Sequence, residues 1–280
     1  MSKKISLLMA MSLSVVMLLT GCGTSNGSKA STSGTSDGTF KVGLEAGYAP
    51  FNWTQMDSSN GAVKIDGNAE YAGGYDIEIA KKIAEGLGEK LVVVKTEWDG
   101  LVPSLTSGKI DAIIAGMSPT AERKQTIDFS DKYYKSDLVM VVKKGGKYDN
   151  ATSIQDFKGA KITAQLNTFH YSVIDQIQGV SKQTAMDNFP AMRVALESGT
   201  IDGYVSERPE GLSAQAANPK YKLVEFKTGF KTSDDDISIA VGVVKNSDLT
   251  PKINTILKGI SEEQRKTIMD TAIKNQPAAK

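Results

Sequence analysis

Cysteine and histidine are almost absent: the 280 residues include one of each, Cys22 and His170. A lone thiol cannot close an internal disulfide, and thiol catalysis or a metal site would need partners that the chain lacks. His170 lies in Thr168-Phe169-His170-Tyr171 with no partnered Ser or Cys motif, so its expected place is the surface or the rim of a cleft. No catalytic residue, cofactor or metal is expected. Charge of one sign is missing too. The chain has 33 basic and 32 acidic residues, and loss of Lys3 and Lys4 with a leader would leave 31 against 32, so no cationic face for nucleic acid is expected. No long apolar run follows residue 22, so the body is expected to be soluble.

What is present is organised around Ile110-Asp111-Ala112-Ile113-Ile114-Ala115-Gly116-Met117-Ser118-Pro119-Thr120-Ala121-Glu122-Arg123. Its first half is a short β-branched run, expected to be a buried parallel strand. Its second half turns polar, with Ser118 placed as a helix N-cap, Pro119 at the first helical position and Arg123 a turn later. Such a start gathers amide N–H groups, a hydroxyl and a guanidinium, which together match a carboxylate; the plainer alternative is a capped helix with a surface arginine. The stretch has an echo. Thr106-Ser107-Gly108-Lys109-Ile110-Asp111-Ala112 returns as Glu197-Ser198-Gly199-Thr200-Ile201-Asp202-Gly203, each a helix end, a Gly, an Ile-Asp step and a strand. The second copy runs through Tyr204 and Val205 to Ser206-Glu207-Arg208-Pro209. Open α/β sheets bind ligands beyond the carboxyl ends of their strands, so two α/β lobes facing one cleft are expected.

Lys3 and Lys4 precede an apolar stretch, Ile5 to Leu19, that closes with Leu19-Thr20-Gly21-Cys22. This resembles a bacterial lipoprotein signal, in which cleavage leaves a lipid-modified cysteine at the new N-terminus; the alternative is an ordinary secretory signal with an incidental cysteine. The expectation is a signal peptide over 1–21, a Gly/Ser-rich tether over 22–38, and a membrane anchor at Cys22 on the extracytoplasmic face. The remaining part, about 240 residues, suffices for two lobes with their own cores.

Phe40 to Leu44 is a strand leading to Glu45, Tyr48 and the aromatics Phe51 and Trp53, of which the last two are expected to plug the core. Gly73 to Gly88 is an amphipathic helix with Asp76 as a helix-start residue, and Trp98 follows the strand Leu91 to Lys95. Strands at 137–144 and 237–245 are expected to cross between lobes. That gives one lobe over 39–141 and 241–280, a second over 142–240, and a hinge of two crossover strands.

Together the motifs Glu-x-x-Tyr-Ala-Pro-Phe, Gly-Tyr-Asp-Ile-Glu, Ser-Gly-Lys-Ile-Asp-Ala, Gly-Met-Ser-x-Thr-x-x-Arg and Ile-Asp-Phe-Ser resemble family three of the solute-binding proteins. These are the polar-amino-acid-binding components of ATP-binding-cassette importers. The resemblance spans 39–275 and implies a two-lobed periplasmic-binding-protein-like fold of type 2. It also implies that Arg123 and the Ser118 hydroxyl bind a ligand α-carboxylate, while the Gly116 carbonyl and Glu207 bind the α-ammonium. Ala115, Gln165 and Thr168 complete the expected set with Glu45, Tyr48 and Trp98. The chain departs from the family at Glu207, where Asp is common, and at Leu166-Asn167-Thr168-Phe169, where a Gly-Ser/Thr-Thr loop is common.

The implied function is delivery of an amino acid to a membrane permease by a monomeric receptor that closes on its ligand. An acid at Glu45 matches the family's binders of lysine or arginine, with glutamine or another polar or sulfur amino acid as the alternative. Two other classes remain open: a sensor acting on a separate membrane partner, and a lyase on the same fold. A fused signalling domain is not expected, the sequence closing at Lys280 after Pro277-Ala278-Ala279.

Overall fold

The computed structural model describes residues 38–277. The expected signal peptide, most of the tether and Cys22 lie outside the described residues. Phe40, Val42 and Leu44 are fully buried along the strand Thr39–Leu44, which pairs in parallel with Lys90–Lys95 on one side and Ala112–Ile113 on the other. Ser238–Val243 and Asp128–Lys135 extend this sheet antiparallel, giving five strands. The second sheet repeats the plan. Lys161–Thr163 lies parallel between Ser181–Lys182 and Gly203–Glu207, and Leu138–Lys143 and Tyr221–Val224 continue it antiparallel. A small antiparallel sheet, holding Gly47–Tyr48 and Asn52–Gln55, adjoins the first lobe.

Helix Tyr75–Leu87 covers the first sheet with Ile77, Ile79, Ala80 and Ile83, and it ends at Gly88, whose φ of 72° fits the left-handed cap that glycine adopts without strain. Phe51 and Trp53 are buried as expected. Helix Glu262–Asn275 returns across the back of the molecule, touching helix Tyr75–Leu87 of the first lobe and helix Arg208–Ala217 of the second.

The internal echo has a structural identity. Asp111 donates its backbone N–H to the Lys41 carbonyl at 2.8 Å and accepts the Lys41 N–H on its carboxylate at 2.8 Å. Asp202 does the same with Lys161, again at 2.8 Å for both bonds. Gly108 and Gly199, at φ 75° and 79°, turn the chain out of the preceding helices into these steps.

Two expectations are corrected. The strand Leu138–Lys143 belongs whole to the second sheet and Ser238–Val243 whole to the first, so the expected divisions at 141/142 and 240/241 fall inside strands. The chain changes sheets at 136–137 and between 225 and 237, because a strand gains its ladder of backbone bonds from one sheet only. The helix expected from Ser118 is also absent. Helix Arg123–Thr126 begins four residues past Pro119, because the Met117 carbonyl accepts from Ala240 N–H at 3.1 Å and the Ser118 hydroxyl donates to the Asp236 carbonyl at 2.8 Å, holding this segment open.

Candidate ligand-binding site

Strand ends from both sheets meet in one cleft. From the first lobe, the turn after Leu44 presents Glu45 and Tyr48, both nearly buried. From the second, the end of strand Gly203–Glu207 delivers Glu207, which is 2% exposed. The Tyr48 hydroxyl donates to Glu207 Oε2, and the Tyr48 ring stacks on Phe189 with centroids 4.4 Å apart and planes 6° from parallel. Phe189 opens helix Phe189–Ser198, so an aromatic of the second lobe covers the tyrosine of the first. Burial, then the Glu207 charge, keep the Tyr48 hydroxyl well above its ordinary pKa, so it acts as a donor.

Glu45 is bridged across the cleft as well. Gln165 Nε2 donates to Glu45 Oε2 at 2.9 Å and to the Asp187 carbonyl at 2.9 Å. Glu45 Oε1 is buried without a hydrogen-bond partner. Burial pushes this carboxyl up to about 7, the Gln165 bond offsets part of that, and the charges of Glu97 and Asp99 add to it. A buried carboxylate with one oxygen unmet is a costly arrangement that a cation or donor relieves.

Arg123 also joins the two lobes. Its Nη1 donates to the Ser118 carbonyl at 3.0 Å and its Nη2 to the Asn167 carbonyl at 3.1 Å, while its guanidinium carbon stands 5.0 Å from the centre of the Trp98 ring. Burial pulls its pKa down to about 10, which leaves it charged at neutral pH. Asn167, at φ 54°, also donates from Nδ2 to Asp99 Oδ1 at 2.9 Å, so the lobes are clasped here too. A cavity of about 760 Å³ opens here, bordered by Trp98, Asp99, Arg123, Asn167, Thr168 and Asp236. Another, of about 640 Å³, lies by Lys124, Lys132 and Lys245, but all three lysines are ion-paired with aspartates.

The remaining expected residues are placed as follows. Gly116 has φ 63°, and a Cβ there would sit 2.6 Å from Tyr48 Cε1, so only glycine lets the backbone approach the tyrosine. Ala115 is buried against the first lobe's core. The Ser118 hydroxyl is engaged by Asp236, and the Thr168 hydroxyl donates at 2.7 Å to the Gln165 carbonyl of its own loop.

His170 is a correction. It is 6% exposed and not at the rim, with Nε2 3.3 Å from Glu207 Oε1 and its ring against Phe169. Its contact with a strand from another part of the chain has no local sequence signal. Asp99, Asn167 and Phe189 were missed for the same reason, although the departure at 166–169 marked the loop that carries Asn167. Among the described residues no group of three or more His, Cys, Asp and Glu side chains could hold a metal ion.

The chain is similar to known proteins. The family model for bacterial extracellular solute-binding proteins, family 3, matches residues 40–273. A probable histidine-binding protein of Campylobacter jejuni is 32% identical over 238 residues, 84% of each chain. The glutamine-binding protein GlnH of an ABC transporter in Bacillus subtilis is 31% identical over 284 residues, 99% of each. The crystal structure of an amino acid ABC transporter substrate-binding protein from Streptococcus pneumoniae bound to L-arginine superposes with a TM-score of 0.74 at 28% identity, covering 85% of this chain and 94% of that one. Two repeated α/β lobes, a cleft at their strand ends and a match along nearly the whole described chain place the protein among the bacterial extracellular solute-binding proteins of family 3.

Proposed function

We propose that the chain captures a cationic amino acid, arginine or lysine, outside the cytoplasm and delivers it to the permease of an ATP-binding-cassette importer. The observation that carries the choice of ligand is Glu45, a buried acid of the cleft with one unmet oxygen. A ligand cation beside Glu45 would satisfy the acid that the cleft leaves half met, while its α-carboxylate meets Arg123 and its α-ammonium Glu207. In this reading Arg123 pairs with the α-carboxylate, with support from Ser118, Thr168 and the backbone at Ala115. Glu207 and the Gly116 carbonyl take the α-ammonium. Tyr48 and Trp98 flank the aliphatic stem, and Glu45, steadied by Gln165, takes the terminal cation. Each charged group now meets a neutral protein partner, Tyr48, Gln165 or a carbonyl, that a charged ligand group can displace.

A second reading is favoured by one contact. The Gln165 amide donates to one oxygen of Glu45, so a carboxamide, as in glutamine, is a competent partner for that acid. The relatives described above include proteins named for histidine and glutamine and one bound to arginine. A thermal-shift panel of the common amino acids, followed by calorimetry, decides. Stabilisation by arginine or lysine is the expected result, and stabilisation by glutamine or cystine alone would overturn the cationic assignment.

Attachment to the membrane belongs to the same proposal: Cys22 carries lipid, and the receptor works as a monomer that closes about its hinge. Cys22→Ala should shift the protein from the membrane to the soluble fraction or leave the precursor uncut. Small-angle scattering with arginine should show compaction of a monomer.

A further inference from the structure

The hydrogen bonds that join the lobes at Glu45, Glu207 and Arg123 hold groups that the ligand reading assigns to the amino acid. One further bond across the cleft does not. Asn167 Nδ2, from the second lobe, donates to Asp99 Oδ1, from the first, at 2.9 Å, and neither side chain has a part in that reading.

Both partners are fixed to their own lobes. Asp99 lies in the turn Trp98–Gly100, just past strand Lys90–Lys95, and the Gly100 N–H closes that turn on the Glu97 carbonyl at 2.8 Å. Asn167 lies between strand Lys161–Thr163 and helix Phe169–Val173. Its loop is pinned by the Leu166 N–H on the Met186 carbonyl at 2.8 Å and by the Thr168 hydroxyl on the Gln165 carbonyl at 2.7 Å. With both ends tied down, the bond follows the separation of the lobes: it is made with the cleft shut and broken when the hinge opens.

The backbone explains only part of the residue choice at 167. A φ of 54° is in the left-handed region, which glycine enters without strain and asparagine more readily than most other side chains. Glycine would therefore serve the turn; asparagine serves it and adds an amide that reaches a carboxylate of the opposite lobe. Such a bond is stronger than one between neutral groups, but both residues are exposed, so it slows opening without preventing it. The Asn167 carbonyl, which accepts from Arg123 Nη2 at 3.1 Å, gives way when a ligand carboxylate takes Arg123. The side-chain bond to Asp99 competes with no ligand group and remains.

We propose that Asn167 and Asp99 form a latch that holds the cleft shut over its bound amino acid and so sets the rate of release. This rests on the reading of the cleft as an amino-acid site that closes about its hinge. Because the latch is made after the ligand has entered, it slows dissociation and leaves association nearly alone.

The test follows radiolabelled arginine leaving the full chain into an excess of unlabelled arginine, with the association rate measured beside it. Asn167→Gly keeps the left-handed turn and deletes only the amide; release should quicken about fivefold while association changes by less than about twofold. Asn167→Asp sets two carboxylates against each other and should quicken release by about tenfold or more. Adding Asp99→Asn to it restores a donor and an acceptor with their positions exchanged, and release should return to within about twofold of wild type, a rescue that a merely structural role does not predict. Unchanged release in Asn167→Gly, a fall in association as large as the rise in release, or no recovery in the double variant each overturns the latch. Should wild type bind glutamine in place of arginine, labelled glutamine takes its place. Wild-type protein that binds no amino acid refutes the proposed function itself, and the latch falls with it.

Discussion

The two lobes begin their central strands with the same device and end them differently. In each, an Asp after a Gly-x-Ile step pairs with both backbone groups of a lysine on the neighbouring strand. In the first lobe the strand that follows is two residues long and opens into the Ala115 to Ser118 segment, so the cleft receives backbone groups and, beyond them, Arg123. In the second lobe the strand runs five residues, delivers the Glu207 side chain at its end, and passes at once into a helix with Pro209 in its first turn. One framework therefore supplies a cation and peptide groups from one side and an anion from the other. The chemistry is set by how each strand stops and not by the strand itself.

The sharpest way to break this comparison is to remove the first lobe's cation. Arg123→Ala should lower affinity for arginine by about a hundredfold or more, since charge-assisted contacts in a closed cleft are worth a few kcal/mol, with the melting temperature of the unliganded protein little changed. Near-wild-type affinity by calorimetry would mean that the two strand ends do not divide the ligand as described. Glu207→Gln should act in the same direction from the other lobe.

A smaller effect separates Glu45 from both. Glu45→Gln should cost arginine about tenfold while leaving glutamine nearly unaffected, because only a cationic side chain loses its partner. The sign of the pH dependence follows from burial. Glu45 and Asp76 are both raised to about 7, so the folded protein holds protons that the unfolded chain has released. The associated stability is full below their unfolded values, near 4.5 and 3.8, and is lost as pH rises through about 7. Melting temperature should therefore decline between pH 5 and 8, less steeply in Glu45→Gln. A guanidinium beside Glu45 draws its proton off, so arginine affinity should climb with pH toward about 7 and then level, and this slope should vanish in the variant. An unchanged slope in Glu45→Gln would assign the titration elsewhere.

The smallest effect tests the shared device. Asp111→Ala and Asp202→Ala each remove one carboxylate bond to a strand amide, worth about 1 kcal/mol, and should lower the melting temperature by similar amounts of a few degrees. Clearly unequal shifts would show that the echo is formal and that the two lobes are held together differently.

The legible parts of the site were those whose chemistry is local. Glu45, Tyr48 and Glu207 stand at strand ends or just past them, Arg123 follows at the start of the next helix, and apolar-to-polar transitions mark strand ends in a sequence. Ser118 shows the limit of such reasoning: its neighbours Pro119 and Arg123 satisfy every local rule for a helix start, yet contacts with residues more than a hundred positions away hold the segment open. His170 shows it again, since a lone imidazole has no sequence feature that distinguishes rim from interior.

By itself the sequence determined two α/β lobes, their repeat, the turn glycines and the supply of charged groups, because periodicity, turn chemistry and strand ends are short-range properties of the chain. Tertiary structure alone decided where the chain changes sheets, which carboxylates are bridged by Gln165 and Tyr48, and that Asp76 is buried against Asn52 and Tyr133. Those outcomes depend on hydrogen bonds between residues brought together only when the lobes fold and face one another, and burial there fixes the price of every charge left without a partner.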